Sequence, residues 1–379
     1  MEKIRLGVVG LGNRGRMMIL IATKYFDCAE LVAACDIRPN NWFETQQWFD
    51  KPYSELHPNT KFYEDYEEML DKEKLDAVLV ETDGDFHAKF CVMALERGIN
   101  VMSDIPCVDS LEEAEMLWKA SEASKAMMMV GANPNEQRFA VLLQDFYKKG
   151  LLGKPYYLEA EYIHPILPGT IEEKLVYANG DWRKRMAPIR YCTHSLGPLL
   201  TILEEDLRKV TCLGTGFHTP ESYKHEMMSA QAQTDSGIIV KFMRNGRCRS
   251  FIGHHNYRVF GTEGYMERMD RMGKAVIRYN STKELDTSLK EVNGEFMPPR
   301  YEGDARVREA GHGGMDYALW DDFFDALINK KPSPITVRQG LAMTLPGIYA
   351  AESAERGGKM MRIKYPWDSD WSLDMEEVK

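Results

Sequence analysis

Gly10-Leu11-Gly12-Asn13-Arg14-Gly15 follows directly on the apolar run Ile4-Arg5-Leu6-Gly7-Val8-Val9 and opens a segment with helical spacing. Glycines at these places permit a tight turn and close backbone approach. The amides at the start of the helix have no partner within it, so the unit is built to hold a pyrophosphate. Gly10, Gly12, Asn13 and Arg14 are therefore candidate cofactor-binding residues. Asp36 ends the next β-branched run, 26 positions after Gly10. A carboxylate there accepts hydrogen bonds from an adenosine ribose and repels a 2′-phosphate, which favours NAD over NADP. Arg38, two residues on, is the group that would pair with such a phosphate instead.

Working outward, short β-branched runs alternate with longer helical patterns through the first third of the chain. Strands are expected at 4–9, 30–35, 76–80, 99–102 and 126–130, and helices at 14–24, 64–71, 86–97 and 110–124. Ser110 with Glu113 fits a capping box on the last helix. Such alternation predicts a right-handed, doubly wound parallel sheet. After Gly131 the texture changes: a helix at 134–149, a strand at 156–164, then strand-like stretches through 210–277, including 238–243 and 248–253. Strands in succession without helices between them predict a largely antiparallel sheet. Helices return at 315–329 and 338–355, after a long polar loop at 280–311. The expected fold class is α/β, an N-terminal Rossmann domain at 1–131 followed by an α+β domain with an open sheet at 132–379. The helix at 338–355 is a candidate to pack back on the first domain.

With 379 residues, 44% hydrophobic and 28% charged, the chain has the composition of a folded protein with room for two domains. A net charge of −10 without long runs of one sign argues against nucleic acid and membrane surfaces as partners. Seven cysteines with no C-x-x-C pair spell out neither a disulfide framework nor a zinc site. Reduced thiols in the cytoplasm are the simplest expectation; an export leader removed beforehand would leave no trace here.

The glycine turn, Asp85-Phe86-His87, the stretch 98–106, Val259-Phe260-Gly261-Thr262-Glu263-Gly264 and Glu352-Ser353 together resemble the Gfo/Idh/MocA family of sugar oxidoreductases over nearly the whole chain. The resemblance implies that His87, Asp104 and Pro106 lie at the cofactor, and that the protein is a homo-oligomer acting on a small-molecule sugar or glycoside. Family members carry Glu-Lys-Pro after the fifth strand, with lysine as proton shuttle. Here the tripeptide is Asp104-Ile105-Pro106, and Ile105 carries no proton. Where ordinary dehydrogenases of the family place an aspartate four residues before a histidine, this chain has Arg190 before His194.

Asp181-Trp182-Arg183-Lys184-Arg185, Tyr191-Cys192-Thr193-His194-Ser195-Leu196-Gly197-Pro198 and Gly311-His312-Gly313-Gly314-Met315-Asp316 are similar to the branch containing NAD-dependent α-N-acetylgalactosaminidases. That branch also lacks the lysine. It implies Tyr162 as a base and a redox-neutral cycle through a 3-keto sugar, with His194 serving the carbon 3 oxygen. His164, Trp182, Arg183, Tyr191, His312 and Asp316 are the matching substrate-binding candidates, although Trp182 is by type equally a packing residue.

Hydride removal from a carbinol leaves a hydroxyl proton for a base, and a histidine, unperturbed near about 6.5, is suited to take it. Tyrosine, near about 10 unperturbed, needs positive charge nearby; Arg183, Arg185 and Arg190 are the candidates. Tyr162 and His164, two apart on a strand, share a face. Thr193 reads as the N-cap of a helix ending near Leu203. His312 and Asp316, four apart, share a helix face if the helix starts that early. His164, His194 and Asp316 with Glu161 are conceivable metal ligands, but no local ligand spacing supports a metal and none is expected. The adjacent His254 and His255 would point to opposite faces of a strand. Three readings stay open: redox-neutral glycoside cleavage, net oxidation by a plain sugar dehydrogenase, and a catalytically silent NAD-binding regulatory protein.

Overall fold

Six parallel strands follow from the alternation in the first third: β1 (Ile4–Val9), β2 (Ala29–Cys35), β3 (Lys61–Tyr63), β4 (Ala77–Val80), β5 (Asn100–Ser103) and β6 (Met128–Val130). The computed structural model describes residues 3–46, 49–164, 166, 169–170, 173–174, 182–218, 225–247, 255–271 and 273–378. The strands lie in the order β3-β2-β1-β4-β5-β6, so the order reverses between β1 and β4. Every residue of β4 is buried, as expected for a parallel strand covered on both faces. The three-residue β3 is too short to show a period and was not expected.

The second sheet has nine strands, β14-β13-β12-β11-β7-β10-β9-β8-β15. They are β7 (Pro155–Ile163), β8 (Leu207–Gly214), β9 (Met227–Thr234), β10 (Ile239–Asn245), β11 (His255–Gly261), β12 (Gly264–Arg271), β13 (Lys274–Ser281), β14 (Lys290–Asn293) and β15 (Met361–Arg362). Among the described residues only β7 and β10 pair in parallel; the other pairings are antiparallel. Along β9 buried residues alternate with half-buried or exposed ones, the mark of a sheet with one face on a core.

Two compact units result. The chain up to Gly131 groups with Asp316–Arg338; the second unit resumes at Gln339. Helix Val337–Glu355 groups with the second unit from Gln339 on, whereas helix Met315–Asn329 groups with the first from Asp316 on. Its aromatic face explains this. Trp320 donates to the carbonyl of Met18 at 3.0 Å, Phe324 packs on Phe26, and Trp320 and Phe323 are wholly buried. Each such side chain contributes about 2–3 kcal/mol by leaving water. The same packing sets Asp316, in the first turn of this helix, over the glycine turn's helix, Asn13–Tyr25.

Other expectations need local correction. The helix at 134–149 is a 3-10 turn, Asn133–Glu136, then a helix Arg138–Lys148, because Gln137 between them is extended. The loop at 280–311 contains β14 and a short helix, Ala305–Glu309. In the capping box Ser110 accepts from the amide of Glu113 at 3.1 Å, but the Glu113 carboxylate takes the amide of Asp109 rather than that of Ser110. The strand expected at 248–253 lies outside the described residues. Among the described residues, no helix is long and apolar enough to cross a membrane.

Candidate active site

In the first unit the glycine turn is closed to side chains. Gly10 has φ 91°, and a Cβ there would fall 2.5 Å from the carbonyl oxygen of Glu81; at Gly15 a Cβ would fall 2.0 Å from the Gly10 oxygen. Gly12 caps a helix whose first turn carries no acidic side chain, so its positive end suits an anion. Asp36 braces the turn: Oδ2 accepts from the Leu11 amide at 2.7 Å and from Asn41 Nδ2 at 3.1 Å, and Oδ1 from the Arg38 amide at 2.8 Å. A carboxylate oxygen accepts two bonds, so Oδ1 keeps capacity for a ribose hydroxyl. Buried Arg16 supports the turn from below, donating to the Leu11 carbonyl and to Asn13 Oδ1. These features fit a dinucleotide.

The second half of this sheet carries a charge cluster. Glu81 follows β4, and Asp104 follows β5 just before the cis Ile105–Pro106 peptide. Arg14 Nη1 pairs with Asp316 at 2.7 Å, while its Nε lies 3.7 Å from Asp104 and 3.9 Å from Glu81. Burial and the neighbouring charge of Asp104, opposed by Arg14, hold the Glu81 carboxyl well above its ordinary range. His87 holds its two ring nitrogens 2.8 Å from the Pro106 carbonyl and 2.9 Å from the Thr82 carbonyl, so it sits between two loops.

The second unit gathers rings instead of carboxylates. Tyr162 on β7 stands opposite Arg244 of β10 and His255 of β11, so three strands put one row of side chains side by side. The Tyr162 hydroxyl and His164 Nδ1 are 2.9 Å apart, and the Arg244 guanidinium lies 4.4 Å from the Tyr162 ring centre. Arg244, not one of the three arginines expected, thus lies over Tyr162, while Arg183 donates to the Tyr191 hydroxyl at 2.6 Å and sits 4.6 Å over that ring. The His194 ring centre is 4.6 Å from Tyr162, 5.1 Å from Tyr191 and 5.5 Å from His255.

His194 opens the helix Thr193–Leu200, capped by Cys192 rather than by Thr193 and ending three residues earlier than expected. Its Nδ1 is buried without a hydrogen-bond partner. Burial first, then positive charge from His255, His312, Arg183 and His164, pushes its pKa well below the ordinary histidine value. It is a neutral base at neutral pH. Beneath it the Tyr257 hydroxyl donates to the His194 carbonyl at 2.7 Å and accepts from Gln137 Nε2 at 3.0 Å. His255 Nδ1 lies 3.1 Å from the same oxygen. Since that hydroxyl has given its proton to His194, Nδ1 of His255 must donate, which leaves the ring's lone pair on Nε2.

The structure thus brings Tyr162, His164, Tyr191, Arg183 and His194 together. Trp182 is buried in the neighbouring short helix Trp182–Arg185. His312, exposed and with φ 43°, is close enough to repel charge on His194. Asp316 is not its helical neighbour: Gly311, His312, Gly313 and Gly314 all have positive φ, and the helix begins only at Met315. Asp316 instead belongs to Arg14 and lies in the first unit. Glu161, next to Tyr162 on β7, points to the opposite strand face and is bonded to Asn256. His254 lies outside the described residues. Arg244, His255, Tyr257 and Glu81 were missed. The available signal for the first two was a charged or polar residue at the inward parity of a strand, after Val240 and Phe242 and before Tyr257 and Val259.

Residues 4–132 match the NAD-binding Rossmann domain of the Gfo/Idh/MocA oxidoreductase family, and residues 226–371 match the C-terminal domain of glycosyl hydrolase 109. Glycosyl hydrolase family 109 protein 2 of Akkermansia muciniphila is 24% identical, covering 98% of this chain and 85% of its own. The alpha-N-acetylgalactosaminidase of Tannerella forsythia is 22% identical over 94% of this chain and 85% of its own. Among solved structures, scyllo-inositol dehydrogenase of Lactobacillus casei with NAD(H) and scyllo-inositol has a TM-score of 0.73 at 18% identity, covering 95% of this chain and 99% of that one.

Proposed function

We propose that the chain, which matches a Gfo/Idh/MocA NAD-binding domain in its first third and a glycosyl hydrolase 109 C-terminal domain in its last part, cleaves a glycoside without net oxidation. The observation that carries this reading is the Tyr162–His164 pair under Arg244, beside a second, separate base in His194. A simple dehydrogenase needs one base; elimination needs two.

A nicotinamide dinucleotide held at the glycine turn would supply a reversible hydride acceptor. His194 takes the proton of the carbon 3 hydroxyl as the ketone forms. The ketone acidifies the hydrogen at carbon 2, and Tyr162, with its hydroxyl proton passed to His164 and its phenolate favoured by Arg244, removes it. The bond from carbon 1 to the aglycone oxygen then breaks, and that oxygen takes the proton His164 received from Tyr162, so the aglycone leaves as the alcohol. Water adds its hydroxyl to carbon 1 and its hydrogen to carbon 2; the proton on His194 goes back to the carbon 3 oxygen. The sum is hydrolysis. His312 is placed in this reading to orient the glycone. Asp36 makes NAD the expected form, since the carboxylate that would receive a ribose hydroxyl repels a 2′-phosphate.

Incubation with aryl glycosides in deuterated water tests this. The expected result is aglycone release with flat absorbance at 340 nm and deuterium at carbon 2. NADH accumulating in proportion to product would replace it with the second reading, a sugar dehydrogenase using His194 alone, which the unpartnered Nδ1 of that residue supports. Turnover on no sugar or glycoside would leave the silent NAD-binding protein.

A further inference from the structure

We infer that Phe296 is a specificity-determining residue of the second unit's site: an aromatic wall on which the C–H face of a closed sugar ring packs, so that ring sugars are held better than open-chain polyols. The inference rests on reading the ring cluster around His194 as a sugar site. Phe296 lies three residues past β14, in the stretch Glu295-Phe296-Met297-Pro298, and its side chain is only half-buried.

Two neighbours that belong to the site set its place. The ring stands edge-to-face with that of His255, 5.3 Å between centres, and His255 is in turn 4.7 Å from Tyr162 and 5.5 Å from His194. The second neighbour is the loop that carries His312: a Cβ on Gly313 would fall 3.2 Å from that of Phe296, tighter than an ordinary contact. The backbone around the ring is pinned. Gly294 donates to the Ala275 carbonyl at 3.0 Å and accepts from Arg268 Nε at 2.8 Å, the Phe296 carbonyl accepts from the Arg138 amide at 3.0 Å, and Met297 is buried. Arg268, itself buried, lies 4.5 Å from the Phe296 ring centre and donates to the His255 carbonyl, which joins the ring to β11. Among the described residues no other aromatic ring packs on Phe296. A ring fixed in this way and left half open is a preformed apolar surface, and little ordering is lost when a ligand meets it. A closed sugar ring brings a fixed patch of C–H groups to such a surface, whereas an open-chain polyol must first be ordered. Were the ring there only to cover Arg268, its loss would lower stability and leave sugar affinity alone.

Steady-state kinetics on aryl glycosides reads this, together with NMR titration of N-acetylgalactosamine, galactose and glucose and of the alditols made by reducing them. Phe296→Leu, if folded by circular dichroism, should raise KM and the dissociation constant of the best-bound sugar by about three- to tenfold. Its kcat should stay within about twofold of wild type, and its affinity for the alditol should not change. Phe296→Tyr, which keeps the ring, should hold the wild-type constants. A measurement on the unmutated chain does not depend on the leucine variant folding: with 4-fluorophenylalanine incorporated, the fluorine resonance of Phe296, assigned by its loss in Phe296→Tyr, should shift on adding the sugar and not the alditol. An unmoved resonance, or a leucine variant that loses only stability or only kcat, overturns the inference while glycoside cleavage stands. NADH accumulating in proportion to product, with the same rise in KM, would replace the cleavage reading and leave the wall in place. A wild type that turns over no glycoside and binds none of these sugars would overturn the reading of the site and the inference with it.

Discussion

Glu81 in the first unit and His194 in the second are surrounded by charge of opposite sign, acids in one case and imidazoles with arginine in the other. Both are pushed toward the neutral form. For each, burial is the largest cause and like charge adds to it, so the carboxyl is pushed up and the imidazole down. Burial penalises charge whatever its sign. The difference lies in what neutrality makes of the group: a carboxylic acid keeps a proton to share, whereas an imidazole keeps a lone pair to use. The first unit can therefore set a field, and the second can move protons.

The strongest way to break this division is Tyr162→Phe. It removes the proton-accepting oxygen and leaves the ring between Arg244 and His255. Glycoside turnover should fall by about 10²–10⁴-fold, with NAD+ affinity unchanged by calorimetry. A parallel loss of cofactor affinity would mean that the two regions are not separable in function.

Next in size is Arg14→Ala. The Asp316 side chain is wholly buried and would lose its 2.7 Å ion pair. Removing one partner of a buried pair costs about 3–5 kcal/mol, to be read from urea unfolding. Arg14→Ala with Asp316→Ala should recover part of that loss, because the uncompensated charge goes too. If the double variant is as unstable as the sum of the singles, the pair is not coupled and the field of the first unit has another source.

The two neutral groups also predict opposite pH dependences. A raised carboxyl pKa means that between about 4.5 and the raised value the folded chain holds a proton the unfolded chain has lost, so stability falls as pH rises. A lowered histidine pKa means that below about 6.5 the unfolded chain takes a proton the folded chain refuses, so stability falls as pH falls. Thermal unfolding of Glu81→Gln should therefore lose part of the wild-type decline on the alkaline side, and His194→Phe part of the decline on the acid side. The same side affected by both variants would sink the comparison.

How far the sequence shows these regions follows from what is local. Strand 4–9 and helix 315–329 match to the residue, because each is one periodic run bounded by a glycine turn, after the strand in one case and before the helix in the other. The Tyr162–His164 contact was readable too, since two residues apart on a strand share a face. Arg244 and His255 were not. They reach Tyr162 through the parallel pairing of β7 with β10 and the antiparallel pairing with β11, which join segments about 80 and 93 residues apart and leave no local period. Asp316 misled for a related reason: helical spacing from His312 presumes a helix, and four successive residues with positive φ turn the chain before the helix begins.

The smallest effect sharpens the comparison at the second unit's foundation. The Tyr257 hydroxyl is buried and joins the His194 carbonyl, Gln137 and His255, so neutral hydrogen bonds do here what ion pairs do around Arg14. Tyr257→Phe keeps the ring, stacked 5.0 Å from Phe139, and removes only that junction. The stability loss should be about 1–2 kcal/mol, the usual cost of leaving buried polar partners unmade. A second readout separates positioning from mere support. Without the acceptor at Tyr257, His255 is no longer held with its proton on Nδ1, and the pH profile of kcat/KM should change shape on its acid limb while NAD+ binding stays as in wild type. A stability loss with an unaltered profile would show that the network carries the fold of the second unit but does not set its protons.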